Sequence, residues 1–121
     1  MTCVIGIPAG ATRGRSKRPA RVIMWMRPSR FPSARLSREA VLHWAATAPA
    51  SLDLIIRRWV RDAGFVRLGT VRRFVGSGAG RINLLHELAG RRVGRGTYSI
   101  GLASGARPVR CTPGHVGFTV T

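Results

Sequence analysis

From Arg21 onward, apolar runs alternate with turn residues at short, fairly regular spacing, the pattern of an all-β domain. The first candidate strand covers residues 22–26 and is closed by Arg27-Pro28-Ser29. The second, 41–47, puts Leu42 and Trp44 on one face and His43 on the other, before Pro49 breaks it. In the third, 52–60, Leu52, Leu54 and Ile56 alternate inward, and Arg57 and Arg58 follow. Ala63-Gly64 turns the chain into a fourth strand over 65–75. Gly76-Ser77-Gly78-Ala79-Gly80 then reads as a flexible connection. Ile82, Leu84 and Leu88 mark a fifth strand, a sixth starts at Tyr98, and Val116, Phe118 and Val120 alternate through the seventh. Seven short strands predict a β-sandwich over residues 21–121, with a core that includes Leu42, Trp44, Leu54, Ile56, Ile82, Leu84, Tyr98, Ile100, Leu102, Phe118 and Val120.

One stretch supports a different fold. Leu52, Ile55, Ile56, Trp59, Val60 and Ala63 follow the repeat of an amphipathic helix, with Ser51 to cap its start and Gly64 its end. With a preceding helix over 37–48 and a β-wing over 65–75, the alternative is a winged helix-turn-helix suited to DNA. Residues 93–102, Val-Gly-Arg-Gly-Thr-Tyr-Ser-Ile-Gly-Leu, favour the sandwich. Their glycines make a tight turn that delivers Tyr98 onto a strand whose alternate residues are apolar. That is the arrangement of a tyrosine corner, in which the hydroxyl bonds back to the backbone just upstream.

Charge changes the picture next. The 121 residues carry 21 Lys+Arg against 4 Asp+Glu, a formal net charge of +17. Lys17 is the single lysine, so the excess is almost all arginine. A polyanion partner would select such a surface, and codon bias in a GC-rich genome would produce it without selection. Residues 1–20 read as a flexible basic tail, because Thr12-Arg-Gly-Arg-Ser-Lys-Arg-Pro19 has nothing to bury. The domain division expected is therefore 1–20 tail and 21–121 sandwich. The apolar run 4–11 is broken by Gly6, Pro8 and Gly10 and follows no positive segment, so it makes a poor signal peptide. No apolar stretch is long enough to span a membrane as a helix. Cys3 and Cys111 could pair in an oxidising compartment, but with Cys3 placed in the tail two unrelated thiols are expected.

Four segments together resemble one family. They are Arg27-Pro-Ser-Arg-Phe-Pro32, Ala45-Ala-Thr-Ala-Pro-Ala-Ser-Leu-Asp-Leu-Ile-Ile56, Gly78-Ala-Gly-Arg-Ile-Asn-Leu84 and Ala89-Gly-Arg-Arg-Val-Gly-Arg-Gly-Thr-Tyr-Ser-Ile-Gly-Leu102, closed by Val116 to Val120. The chain thereby resembles the immunoglobulin-like or fibronectin type III-like modules of bacterial secreted and cell-surface proteins. Arg95 stands where that family usually has proline, and Val93 where it has leucine. The resemblance implies a non-catalytic structural or adhesive module, extracellular or at the cell surface. A cytoplasmic place is the other option where no leader is visible.

The residues offer little chemistry. Glu39, Asp53, Asp62 and Glu87 share no recognised spacing with one another or with His43, His86 and His115. His86-Glu87 lacks the second histidine of a zinc-protease motif, and two distant cysteines do not make a zinc site, so no metal or cofactor is expected. Cys111 and His115 sit in a Pro/Gly loop without an orienting partner. Gly76 to Gly80 lacks the Gly-Lys-Ser/Thr of a phosphate-binding loop. The alternative function is nucleic-acid binding through Arg57, Arg58, Arg61, Arg67, Arg72 and Arg73, with Trp59 and Phe74 interleaved. The competing reading of those arginines is a sheet face where long stems cover apolar surface and the heads stay wet. Anionic polymers, cell-wall polymer or nucleic acid, are the partners that the charge suggests.

Overall fold

The computed structural model describes residues 1–7, 19–32, 40–84 and 94–121. Among the described residues, ten strands rather than the expected seven form two five-stranded sheets, the additions being residues 2–5, 30–31 and 109–112, and no described segment is an extended helix. They are β1 (Thr2–Ile5), β2 (Ala20–Met26), β3 (Arg30–Phe31), β4 (Val41–Ala46), β5 (Ala50–Val60), β6 (Gly64–Val75), β7 (Gly78–Asn83), β8 (Gly96–Ala103), β9 (Val109–Thr112) and β10 (Val116–Val120). One sheet runs β7-β4-β2-β1-β9 and the other β3-β10-β8-β5-β6. All pairings are antiparallel except the short β3, which lies parallel to β10.

Period-two burial builds the core between the sheets. Ala20, Val22, Met24 and Met26 of β2 point inward while Arg21, Ile23 and Trp25 point out. Leu52, Leu54 and Ile56 of β5 meet them from the other sheet, with Tyr98, Ile100, Phe118 and Val120 alongside. Of the residues expected in the core, Trp44 and Leu102 are partly buried against it and the others are buried. The strand at 50–60 replaces the helix of the winged alternative. Its helical look comes from Ile55, Trp59 and Val60, which are apolar yet lie on the outer face or beyond the sandwich.

Three sequence expectations about particular residues need correction. Residues 2–5 are not tail: β1 sits between β2 and β9, with Cys3 and Ile5 fully buried. Cys3 faces Cys111 directly in register and the two form a disulfide, with Cα atoms 4.0 Å apart. The Gly6 amide donates to the Pro108 carbonyl at 2.7 Å, and a Cβ at Gly6 would come within 2.9 Å of the Pro108 ring. The basic run of the tail and the Leu88 end of the fifth strand lie outside the described residues. Gly78 and Gly80 are not in a loop either. They belong to β7, where the Trp44 indole covers Gly80 so closely that a Cβ would meet it at 2.6 Å.

The corner at Tyr98 is formed. The phenol is fully buried, and its hydroxyl donates to the Gly94 carbonyl at 2.7 Å. The ring stacks on Phe118 at 5.0 Å, and Phe118 stacks in turn on Phe31 at 6.1 Å. Burial raises the Tyr98 pKa above the ordinary tyrosine value. Tyr98→Phe keeps the stack and deletes one hydrogen bond, so urea unfolding should show a loss of about 1 kcal/mol. An unchanged midpoint would mean that the bond contributes nothing.

Candidate functional site

The six arginines singled out from the sequence all lie on the β5–β6 hairpin, but its pleat separates them. Alternation and cross-strand register put Arg57, Arg67 and Arg72 on the outer face. Arg58 and Arg73 belong to the inner side, and Arg61 sits in the turn beside Asp62 and Gly64, whose φ angles are 69° and 75°.

Their chemical situations differ accordingly. Arg58 supports the corner: its Nη2 donates to the Arg95 carbonyl at 2.8 Å, and its guanidinium lies 5.8 Å from the Tyr98 ring centre. Arg72 pairs with Asp53 at 2.9 Å. Arg73 donates to the Arg72 carbonyl at 3.2 Å and lines a cleft with Trp44, Phe74 and Arg81 between the β6 and β7 edges. Only Arg57 and Arg67 come together with their charges outward. They oppose each other directly across the hairpin, a like-charge pairing that disfavours the strand pair. The Arg57 guanidinium lies over Gly101 of β8, where an added Cβ would meet its Nη1 at 3.3 Å.

Next to this pair stands an aromatic cluster. Trp59 and Phe65 face each other across the hairpin, edge to face at 5.2 Å, and Phe65 reaches His115 at 6.1 Å. Trp59 is 54% exposed and Val60 and Val66 are exposed beside it. The register slips between Ile56 and Arg57, which re-aims the outer part of the hairpin. Phe74, 72% exposed, is near the other end of β6, remote along the strand from Trp59.

Asp53 clamps Arg72 of β6 to the turn at Gly105. One carboxylate oxygen accepts from Arg72 Nε at 2.9 Å, and the other from the Gly105 amide at 3.3 Å. The Arg72 hydrogen bond holds its pKa below the ordinary aspartate value, against a smaller opposing effect of burial. A carboxylate lowered on folding stabilises above its unfolded pKa, and that contribution disappears as pH falls through the folded value. Asp53→Asn should therefore be less stable than the parent at neutral pH. The difference should shrink in acid titration below the ordinary aspartate range. A pH-independent difference would contradict the clamp.

A second surface was not anticipated. Trp25, His43 and Arg81 stand in one row across the outer face of the β7-β4-β2-β1-β9 sheet, with Trp25 and His43 stacked at 5.6 Å. Their residues come from three strands, so only strand register reveals the row. Among the described residues, no three of His, Cys, Asp or Glu gather as metal ligands, and no helix is long and apolar enough to cross a membrane. Comparison with protein-family models, with curated proteins and with solved structures finds no match to this chain.

Proposed function

We propose that this domain is a non-catalytic, immunoglobulin-like structural or adhesive module of a bacterial surface or secreted protein, with anionic wall polymer as its partner. The observation that carries the reading is strand order. With β1, β3 and β9 set aside, β7-β4-β2 faces β10-β8-β5-β6. Lettered along the chain in the immunoglobulin manner, this is E-B-A against G-F-C-C′, with the corner tyrosine at the start of strand F. The Cys3–Cys111 disulfide favours an oxidising compartment. Among the described residues, Cys111 is in the disulfide, Asp53 is held by Arg72, and His43 and His115 lie with different sheets.

Sedimentation with bacterial cell walls tests this reading. The oxidised protein should pellet with walls that carry their anionic polymers, release as salt rises, and stay in solution with polymer-stripped walls. Equal retention on stripped walls, or none on either, would overturn it.

The Arg57/Arg67 pair beside exposed Trp59 and Phe65 favours a second reading, single-stranded nucleic acid bound on the hairpin. A salt-dependent affinity indifferent to base sequence is expected, with the salt slope reduced by about one or more in the double Arg57→Ser/Arg67→Ser variant. A slope untouched by that variant would remove the hairpin from consideration.

A further inference from the structure

We infer that the outer face of the β7-β4-β2-β1-β9 sheet is a binding platform for an acidic polysaccharide, one whose sugar rings carry carboxylates. This rests on the surface-module reading and adds a site and a ligand class to it.

Cross-strand register lays the face out in three rows. Arg81, His43 and Trp25 form the first, on β7, β4 and β2. Ala79, Ala45, Ile23, Thr2 and Thr112 form the second across all five strands. Arg21, Val4 and Arg110 form the third. The middle row is a low floor of small and apolar side chains. Ile23 is 47% exposed and Trp25 40%, so the floor and its aromatic wall are open to solvent. Arg21, Arg81 and Arg110 are exposed around it, and none of the rows contains a carboxylate.

Two independent features point to the ligand. Arginine without an acidic neighbour selects a carboxylate or phosphate, which its planar fork binds through paired hydrogen bonds. Trp25, stacked on His43 at an interplanar angle of 14° and partly open to solvent, presents an apolar surface for a ring to lie on. A shallow groove runs from Trp25 and His43 past Arg81, Ala79 and Gly80 to the exposed part of Trp44. The Gly80 position faces inward with Trp44, which packs beneath it, so Ala79 and Arg81 form the outer surface here. The groove supplies ring contact and cation in one place.

A single-stranded nucleic acid fits this face less well. Successive bases need successive aromatic rings, and the positions following Trp25 and His43 are Ile23, Ala45 and Ala79. The arginines lie at separated corners rather than in a continuous track. That layout suits a flat ribbon of rings with carboxylates along its margins.

Titration of the isotope-labelled oxidised full chain with an oligogalacturonate, followed by amide and indole NMR shifts, tests the assignment. Shifts should concentrate on Arg21, Ile23, Trp25, His43 and Arg81, including the Trp25 indole. Trp25→Thr and Arg81→Ser should each weaken binding about tenfold, while Arg57→Ser/Arg67→Ser should change it less than about twofold. An uncharged oligosaccharide of equal length should not bind. Charge-reversed Arg81→Glu, with an unchanged unfolding midpoint, keeps the test sound if Trp25→Thr is poorly folded. Shifts centred on β5 and β6, or equal losses from every arginine variant, would reduce the binding to net charge and overturn the proposal. Tighter binding of oligothymidylate on the same rows would overturn the ligand class. Loss of oligosaccharide binding by an intact sandwich leaves the wall-sedimentation result to decide the module reading separately.

Discussion

Removing the disulfide with Cys3→Ser/Cys111→Ser should cost about 3 kcal/mol and lower Tm by roughly 10–15 °C. The two cysteines are 108 positions apart, so the bridge closes a loop that contains nearly the whole chain. Loop-closure entropy grows with loop length, and a loop of this size is worth about 4–5 kcal/mol in the chain-entropy estimate. Engineered and native bridges usually deliver less, hence the lower figure. The enclosed chain has an ordinary single-domain stability of about 5–15 kcal/mol, so the loss is a substantial share. Reduced parent protein should unfold with the double variant. Coincident urea transitions for oxidised and reduced protein would show that the bridge does not constrain the unfolded chain.

Phe118→Ala should be the most damaging single core change, at about 3–5 kcal/mol. Phe118 is the middle ring of a three-ring stack, with Tyr98 on one side at 5.0 Å and Phe31 on the other at 6.1 Å. It is 2% exposed, and its loss leaves a void bordered by two rings that are themselves fixed. Tyr98 is held by the Gly94 hydrogen bond. Phe31 is held by β3, whose flanks bond to β10 through Thr119 N to Ser29 O at 2.8 Å and Thr121 N to Phe31 O at 3.0 Å. Tyr98 moves into the space only by giving up the Gly94 bond, and the β3 backbone only by giving up its bonds to β10. Phe118→Leu should cost less than half as much. A Phe118→Ala loss below about 1 kcal/mol, from equilibrium urea unfolding, would mean that the stack is not formed in solution.

Much of this fold was legible because its signals are local. β2, the first part of β5, and β10 carry their own alternation, as in Val116, Phe118 and Val120. The glycines before Tyr98 announced the corner, and the Tyr98 to Gly94 bond realises it within four residues. What escaped was non-local. Cys3 and Ile5 are a buried pair in a four-residue strand, too short for periodicity to register. The short β3 and the β9 strand inside a Pro/Gly loop gain their order from neighbours distant in sequence. Gly78-Ala79-Gly80 looked like a linker because glycine commonly marks loops. The close approach of Trp44 explains Gly80 instead.

The site was less legible than the fold for a related reason. Adjacent arginines read as one cluster in sequence, yet a strand sends Arg57 and Arg58, or Arg72 and Arg73, to opposite sides. Strict use of the same alternation that located the core would have divided them. The row of Trp25, His43 and Arg81 could not have been assembled that way, because it depends on which strands pair and in what register. Outward Trp25 between buried Met24 and Met26 was its one local trace.

The two-sheet sandwich is tested most directly by cross-strand proton contacts in NMR spectra of the oxidised full chain. Contacts should join Ile56 to Ile100, Leu54 to Leu102, Trp25 to His43 and Val120 to Phe31, in the register of the two sheets. Sequential amide contacts running through residues 52–63 without those cross-strand pairs would mark a helix there and contradict the account.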